Sequence, residues 1–279
     1  MKQSKRQIYT GERALFASHG LHLIEATFLE GESPLKESCN LLLDDSTFRW
    51  KYPLWYCNDV VLNRCTLSDS ARAGIWYTHN ITFNDCVIDA PKTFRRSTGI
   101  TLNNVTIPNA AETLWNCTNV TLNNVTVNGH YFGMNCKDVV ATNLVINGDY
   151  CFDSAENVTI RNAKLLSKDS FWNSRNVTVY DSYICGEYLC WNSENVTFVN
   201  CTLESLQGLC YAKNLKLVNC KLINTTRAFE YSTVEAEIVG KVDSVVNPSG
   251  GTVTADEFGE VTLDDRYIDP TKTKIVVNK

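Results

Sequence analysis

The sequence lacks the apolar run that a transmembrane helix needs, since no stretch approaches ~18 apolar residues. It also lacks an excess of positive charge, because 26 Lys and Arg residues face 31 Asp and Glu residues, for a net charge of -5 at pH 7. An acidic chain without a basic tail argues against nucleic-acid and membrane partners. Residues 1–20 carry no apolar core of a signal peptide, so we expect no secretory signal and a cytoplasmic location.

Metal-ligand spacing is missing too. No two cysteines form a C-x-x-C pair, and we expect neither a metal nor a cofactor. The chain nevertheless has 12 cysteines, which in a short secreted protein would indicate disulfide bonds. Their positions follow a repeat, so we expect them to be small buried side chains with free thiols, as in a reducing compartment. The clearest set shares one repeat position: Cys65, Cys86, Cys201 and Cys220.

The repeat is the dominant feature of the chain. A phrase of the form N-aliphatic-T-aliphatic begins at Asn80, Asn119, Asn176 and Asn195. With its first residue as position zero, twelve copies occupy residues 20–240, most of them 19 residues apart. Positions +1 and +3 are apolar and +2 is mostly Thr, the alternation of a half-buried strand. A second short strand follows at +6 and +8, and a third precedes position zero.

Three short strands in each repeat predict an all-β fold, a single-stranded right-handed parallel β-helix of about twelve coils. Residues 20–240 form the predicted solenoid. Such a stack exposes an apolar core at each end, so we expect an N-terminal cap at 1–19 and a C-terminal cap with edge strands at 241–279. The asparagines at positions zero and +5 are expected to stack as hydrogen-bonded ladders.

The strand before position zero departs from a simple core pattern. Position -5 is uncharged throughout, whereas position -4 mixes Trp55, Trp76 and Trp115 with Arg95 and Asp153. Charged side chains are costly inside a core, which places position -4 on the surface. Alternation from the small residues at position -2 argues the opposite, with the Trp side chains inside. We favour the charge argument and leave the second arrangement open.

An outward position -4 would put aromatic rings beside cations, the groups that bind sugar rings and carboxylates. Candidate substrate-binding residues are Trp55, Tyr56, Arg72, Trp76, Tyr77, Lys92, Arg96 and Trp115. Candidate catalytic residues, as acids, bases or a charge-neutralising cation, are Arg95, Glu112, His130, Asp149 and Asp153. A stacked aromatic ladder with a solvated charged edge would explain the same residues without any site.

Several phrases carry a family resemblance: GERALF (11–16), GESPLKES (31–38), KYPLWY (51–56), RAGIWY (72–77), APKTFRR (90–96) and ETLWNC (112–117). They resemble an uncharacterised bacterial family of unknown function, sometimes labelled virulence-related, in the pectin-lyase-like superfamily. The resemblance covers nearly the whole chain and implies a right-handed parallel β-helix. Several members of that superfamily act on acidic polysaccharides, but their motifs are not matched here. Asp44-Asp45 lies at a corner, and Gly129-His130 lacks the following glycine.

Two classes of function therefore stay open. One is a carbohydrate-binding or carbohydrate-active protein, a lyase or a hydrolase, that takes an acidic saccharide at the aromatic and basic surface. The other is a binding or structural solenoid without catalysis, in which the same surface serves a protein partner or self-association. The sequence names neither a substrate nor a reaction.

Overall fold

The structure, a computed structural model, describes residues 1–278, and it consists of two compact units, Met1–Val145 and Ile146–Lys279. Each unit is built almost entirely from short strands. The strands that begin in the first unit are β1 (Lys2–Lys5), β2 (Ile8–Tyr9), β3 (His19–Ile24), β4 (Thr27–Phe28), β5 (Cys39–Asp44), β6 (Thr47–Phe48), β7 (Asn58–Asn63), β8 (Thr66–Leu67), β9 (His79–Asn84), β10 (Val87–Ile88), β11 (Thr98–Ile107), β12 (Thr118–Asn128) and β13 (Lys137–Asn147).

The second unit continues in the same way. Its strands are β14 (Glu156–Arg161), β15 (Lys164–Leu166), β16 (Asp169–Ser170), β17 (Arg175–Tyr180), β18 (Tyr183–Gly186), β19 (Tyr188–Leu189), β20 (Glu194–Val199), β21 (Thr202–Ser205), β22 (Lys213–Ile223), β23 (Thr233–Ile238), β24 (Lys241–Val246), β25 (Gly250–Ala255), β26 (Glu257–Thr262) and β27 (Thr273–Val277). Two single-turn 3₁₀ helices, Asp69–Ala71 and Pro270–Lys272, are the helical segments within residues 1–278.

Strand pairing is parallel and joins each coil to the next. In the first unit β1, β3, β5, β7, β9, β11 and β12 pair in succession, and the short strands β2, β4, β6, β8 and β10 form a second row. In the second unit β14, β17, β20, β22, β23, β25 and β27 pair in succession. The predicted fold class, an all-β parallel β-helix, is confirmed.

Within residues 1–278 the coils number about 15 rather than the twelve predicted. The additional strands lie in the segments expected to be caps, because β1 pairs with β3, and β25 pairs with β23 and β27. The Asn signature fades there although the parallel pairing continues. The roles of 1–19 and 241–279 as caps stay predictions.

Each regular coil has left-handed residues at positions -3, zero and +5, and at least one more at position -7 or -5. In the coil centred on Asn80 these are Ala73, Tyr77, Asn80 and Asp85, with φ of 51°, 58°, 54° and 54°. Asn and Asp tolerate positive φ better than other side chains do, which explains their frequency at the corners. The left-handed residue at -3 also interrupts the alternation of the strand, so that positions -5 and -2 both face inward.

The corner and near-corner asparagines bond from coil to coil. In the first unit the Asn124 amide donates to Asn104 Oδ1 at 3.0 Å, and in the second unit Asn195 donates to Asn176 at 3.1 Å. These are the ladders expected at positions +5 and zero. A further ladder at position +4, which the sequence analysis missed, places Asn84 between Asn63 and Asn103, with both amide bonds at 2.8 Å.

The core of each unit consists of aliphatic, phenylalanine and small side chains. Cys65, Cys86, Cys201 and Cys220 are buried as expected, and all 12 cysteines are free thiols. The backbone N–H of Cys65 donates to Cys86 Sγ at 3.2 Å, so the thiols of adjacent coils lie one above the other. Burial raises the pKa of the Cys57 thiol to about 12, which keeps it protonated and unreactive.

Candidate functional site

The side chains at position -4 of the first unit point outward. Leu54 and Leu114 at position -5 are buried, at 0% and 1% exposure, whereas Trp55, Trp76 and Trp115 are half-exposed. The left-handed residues Tyr56, Tyr77 and Asn116 at position -3 are the physical reason that simple alternation gives the wrong orientation. The arrangement with the Trp side chains inside is therefore excluded.

Arg95 lies between two tryptophans. Parallel bridges pair Trp76 with Arg95 and Arg95 with Trp115, so the three side chains extend from neighbouring coils at the same position. The Arg95 guanidinium carbon lies 5.3 Å from the Trp76 ring centroid and 4.4 Å from that of Trp115. Both distances are within the ~6 Å over which a cation is attracted to an aromatic face.

Arg95 is also neutralised. Its Nη2 donates to Glu112 Oε2 at 2.5 Å, and Lys92 Nζ lies 3.4 Å from the same oxygen. Because Glu112 is thus shared by two cations of this unit, Arg95 is an internal part of the ladder rather than a cation waiting for a ligand. The expected roles of Arg95 and Glu112 in catalysis stay predictions.

The indole N–H groups of the ladder are used by the fold. Trp76 Nε1 donates to the Lys92 carbonyl at 3.0 Å, and Trp115 Nε1 donates to the Tyr131 carbonyl at 2.7 Å. Trp55 makes the equivalent bond to the Ala73 carbonyl at 2.6 Å. These bonds to the following coil hold each ring upright on the surface.

A second ladder runs beside the first at position -3. Tyr56 and Tyr77 stack with ring centroids 4.8 Å apart and an angle of 6°. The Arg96 guanidinium lies 5.9 Å from the Tyr77 ring centroid on the adjacent coil. Asn116 follows Arg96 at the same position.

The two ladders enclose a cleft of ≈ 320 Å³, which we call the basic-aromatic cleft; its lining is Trp76, Tyr77, Arg95, Arg96, Trp115 and Asn116. Arg96 is exposed, and within residues 1–278 it forms no ion pair with a carboxylate. It is thus the cation in the cleft lining that is available to an anionic ligand. Asn116 was not among the expected site residues. The sequence could have indicated it, because Asn116 shares position -3 with Arg96 on the adjacent coil.

The tryptophan faces are less available than expected. Trp55 stacks on Trp76 with centroids 4.9 Å apart and an angle of 8°, and Arg95 covers the opposite face of Trp76. A sugar ring therefore cannot lie flat on Trp76, and the ladder offers ring edges to the cleft. This part of the surface follows the alternative interpretation, a stacked ladder with a charged edge.

The remaining candidates lie outside the cleft lining. In the first unit, Arg72 and His130 are exposed, and the His130 carbonyl accepts from the Glu112 N–H at 2.9 Å. In the second unit, Asp149 Oδ1 accepts from the Lys168 N–H at 3.4 Å, and Asp153 Oδ1 accepts from the Ser154 hydroxyl at 2.8 Å. Their catalytic roles stay predictions.

The second unit contains one carboxyl group of unusual environment. Asp169 is only 2% exposed, and its Oδ1 has no hydrogen-bond partner within residues 1–278. Burial raises the pKa of Asp169 to about 6, while Lys168 opposes the shift and the carboxylates of Glu187, Asp149 and Asp153 add to it. Asp169 lies at position -7, where other coils carry Lys92 and Glu112, so the sequence predicts a place on a charged edge; the structure buries it instead. The structure shows no group of His, Cys, Asp or Glu side chains suited to hold a metal ion within residues 1–278.

The fold and the cleft define a parallel β-helix protein with an aromatic and basic surface in its first unit. The chain belongs to the family described as "Protein of unknown function (DUF3737)", whose model matches residues 2–276. Among curated proteins, none matches the sequence. No helix in residues 1–278 has the length and apolar character that a membrane crossing requires.

Two solved structures are similar to this chain over most of its length. PfbA, a surface adhesin of Streptococcus pneumoniae, is 11% identical with a TM-score of 0.42, covering 93% of this chain and 81% of PfbA. The A-module of the mannuronan C-5 epimerase AlgE4 of Azotobacter vinelandii is 11% identical with a TM-score of 0.32, covering 98% of this chain and 86% of the module. Similarity at this level supports no argument about the site.

Proposed function

We propose that this protein binds an acidic saccharide in the basic-aromatic cleft of its first unit, without cleaving it. The observation that carries the proposal is Arg96, an exposed guanidinium without a carboxylate partner in residues 1–278, in the lining of a cleft of ≈ 320 Å³. A guanidinium binds a carboxylate through two parallel hydrogen bonds.

The other lining groups suit a sugar rather than a simple anion. The edges of Trp76 and Trp115 supply apolar contact, and the Asn116 amide nitrogen can donate to hydroxyl groups while its oxygen accepts from Asn135 at 2.5 Å. The net charge of -5 disfavours a long polyanion such as a nucleic acid, which needs many cations at once. Arg96 beside the edges of Trp76 and Trp115 fits one uronate residue and the sugar residues linked to it.

Binding is favoured over catalysis because the carboxylate that contacts the lining residue Arg95 is already engaged. Glu112 is in ion pairs with Arg95 and Lys92, so an acid or base role would require it to leave both. A lyase or hydrolase activity remains the second form of this proposal, and the appearance of shortened or unsaturated products during the binding experiment would support it.

Calorimetric titration with an oligogalacturonate tests the proposal, with the same oligomer carboxyl-reduced to a neutral sugar as the ligand control. We expect Arg96→Ala to weaken oligogalacturonate binding roughly tenfold or more, the loss of one charge-assisted pair. Arg161→Ala is the matched control. Arg161 is an exposed arginine of the second unit, and its guanidinium carbon lies 3.8 Å from the Tyr180 ring centroid.

Equal binding of the neutral oligomer, or an equal loss of affinity in Arg161→Ala, would exclude the proposal.

The alternative, a protein partner or self-association through the same surface, predicts a different result. Sedimentation of the unmodified protein would then show a concentration-dependent oligomer that Arg96→Ala dissociates, with no saccharide affinity.

A further inference from the structure

One cysteine departs from the pattern of the others. Most of the cysteines occupy inward positions and are buried, whereas Cys39 occupies position -1 of its coil and is half-exposed. Position -1 is an outward position, as its register partners His19 and Asn58 on the flanking coils show. Cys39 is therefore not explained as a small core residue.

A histidine faces this thiol at hydrogen-bond distance. His19 Nδ1 lies 2.9 Å from Cys39 Sγ, and the pair is set by the parallel register of β3 and β5. His19 is exposed, so its other ring nitrogen can exchange protons with water. A thiol beside an imidazole is the arrangement in which the base accepts the thiol proton and leaves a nucleophilic thiolate.

The neighbouring asparagine fixes the direction of this hydrogen bond. Asn40 Nδ2 lies 3.4 Å from the same His19 Nδ1, and an amide nitrogen can only donate. Nδ1 therefore carries the lone pair in the neutral ring and Nε2 carries the proton. In this tautomer the Cys39 thiol and the Asn40 amide share the single Nδ1 lone pair, the thiol at the shorter distance, so proton transfer from sulfur to nitrogen requires no change of tautomer.

We propose that Cys39 is a reactive thiol, activated by His19, that undergoes reversible thiolation by small disulfides. The Cys39 thiolate attacks one sulfur of R–S–S–R, a Cys39–S–S–R bond forms, and R–S⁻ leaves. The thiol proton passes to His19 Nδ1, and the released thiolate takes up a proton from solvent. A small disulfide is the oxidant, one thiol is released for each Cys39 modified, and a second thiol reverses the reaction.

This site is separate from the basic-aromatic cleft. Cys39, His19 and Asn40 are not among the residues that line the basic-aromatic cleft. The inference therefore goes beyond the proposed function and does not rest on it. It identifies a surface position at which the redox state of small thiols can change the chemistry of the protein.

The test measures thiol release from 4,4′-dithiodipyridine, an uncharged disulfide, by the fully reduced, folded protein. We expect one equivalent of thiol to be released rapidly per protein molecule, and Cys39→Ser to abolish this release. Cys185→Ser, which changes the other half-exposed cysteine, is expected to retain it. We expect His19→Ala to slow that equivalent about tenfold or more through loss of the proton acceptor. His79→Ala is the matched control, an exposed histidine at the same repeat position that pairs with Asn58 and Thr98.

Each result decides the proposal. A fast equivalent that persists in Cys39→Ser, or that is absent from the unmodified protein, overturns it. An unchanged rate in His19→Ala overturns the role of the histidine, and equal slowing in His79→Ala shows a general charge effect instead. Circular dichroism of every variant confirms that the fold is retained, and mass spectrometry of the product locates the added group on Cys39.

Discussion

The guanidinium of Arg95 lies 4.4 Å from the ring centroid of Trp115, on the adjacent coil of the first unit. The same position of the preceding coil holds Trp76, so a cation replaces an aromatic ring within one stack. A parallel β-helix places equivalent side chains one strand spacing apart, about 4.8 Å. A flat guanidinium fits this spacing as well as an indole does, which explains how charge and aromatic residues alternate at one surface position.

This relationship predicts that Arg95 stabilises the first unit. Arg95→Ala removes the cation from between two indoles and leaves Glu112 with Lys92 as its ionic partner, and we expect unfolding to become easier by about 2 kcal/mol. Arg95→Met, which keeps the stem and loses the charge, is expected to cost about half as much. Urea denaturation followed by tryptophan fluorescence measures both. Identical stabilities of the unmodified protein and Arg95→Ala would show that the stack contributes nothing.

The asparagine ladder at position +4 gives a second prediction. Asn84 donates to Asn63 and accepts from Asn103, so Asn84→Ala leaves an amide without its partner on each side. We expect a loss of about 1–3 kcal/mol in the free energy of unfolding. Asn58 lies at position -1, outside the ladder positions, and Asn58→Ala serves as a comparison for loss of an exposed asparagine. Chemical denaturation decides, and equal costs for the two variants would contradict a specific role for the ladder.

Asp169 predicts a pH dependence of stability in the second unit. Its pKa is about 6 in the folded protein because of burial, whereas an unfolded chain ionises this group near ~3.9. The folded state therefore binds more protons than the unfolded state between these values, and the stability contributed by Asp169 falls as the pH rises from about 4 to about 6. Above about pH 6 the buried, ionised carboxylate lowers the free energy of unfolding.

Asp169→Asn is accordingly expected to stabilise the protein by about 2 kcal/mol at pH 7.5 and to have little effect near pH 4. Asp243→Asn is the control, because Asp243 is an exposed carboxylate of the same unit, and its effect is expected to stay within about 0.5 kcal/mol at either pH. Denaturation curves at the two pH values measure the difference. A destabilising Asp169→Asn at pH 7.5 would mean that the carboxylate has a compensating partner.

Much of this protein could be predicted from the sequence because a solenoid repeats one local rule. The apolar positions +1 and +3, the corner asparagines such as Asn80 and the small inward thiols such as Cys86 recur every coil. Local alternation and backbone preference therefore determine the parallel strands, the ladders and the burial of the cysteines. The coil count was too low because the terminal coils keep the pairing and lose the Asn signature, and strand pairing depends on backbone groups that every sequence possesses.

The repeat pattern does not reveal which side chains face outward or which charges and thiols pair; these follow from the tertiary structure. Which way Trp76 and Trp115 point depends on a left-handed corner at position -3, and that backbone conformation is not visible in the alternation of residue types. Whether Arg95 or Arg96 is available to a ligand depends on Glu112, which reaches Arg95 only through the stacking of neighbouring coils. The same stacking brings His19 to Cys39 and encloses Asp169. Residues about 19 positions apart become direct neighbours, so the pairing of charges and thiols follows from the register between coils, whereas the strands that carry them follow from local residue patterns.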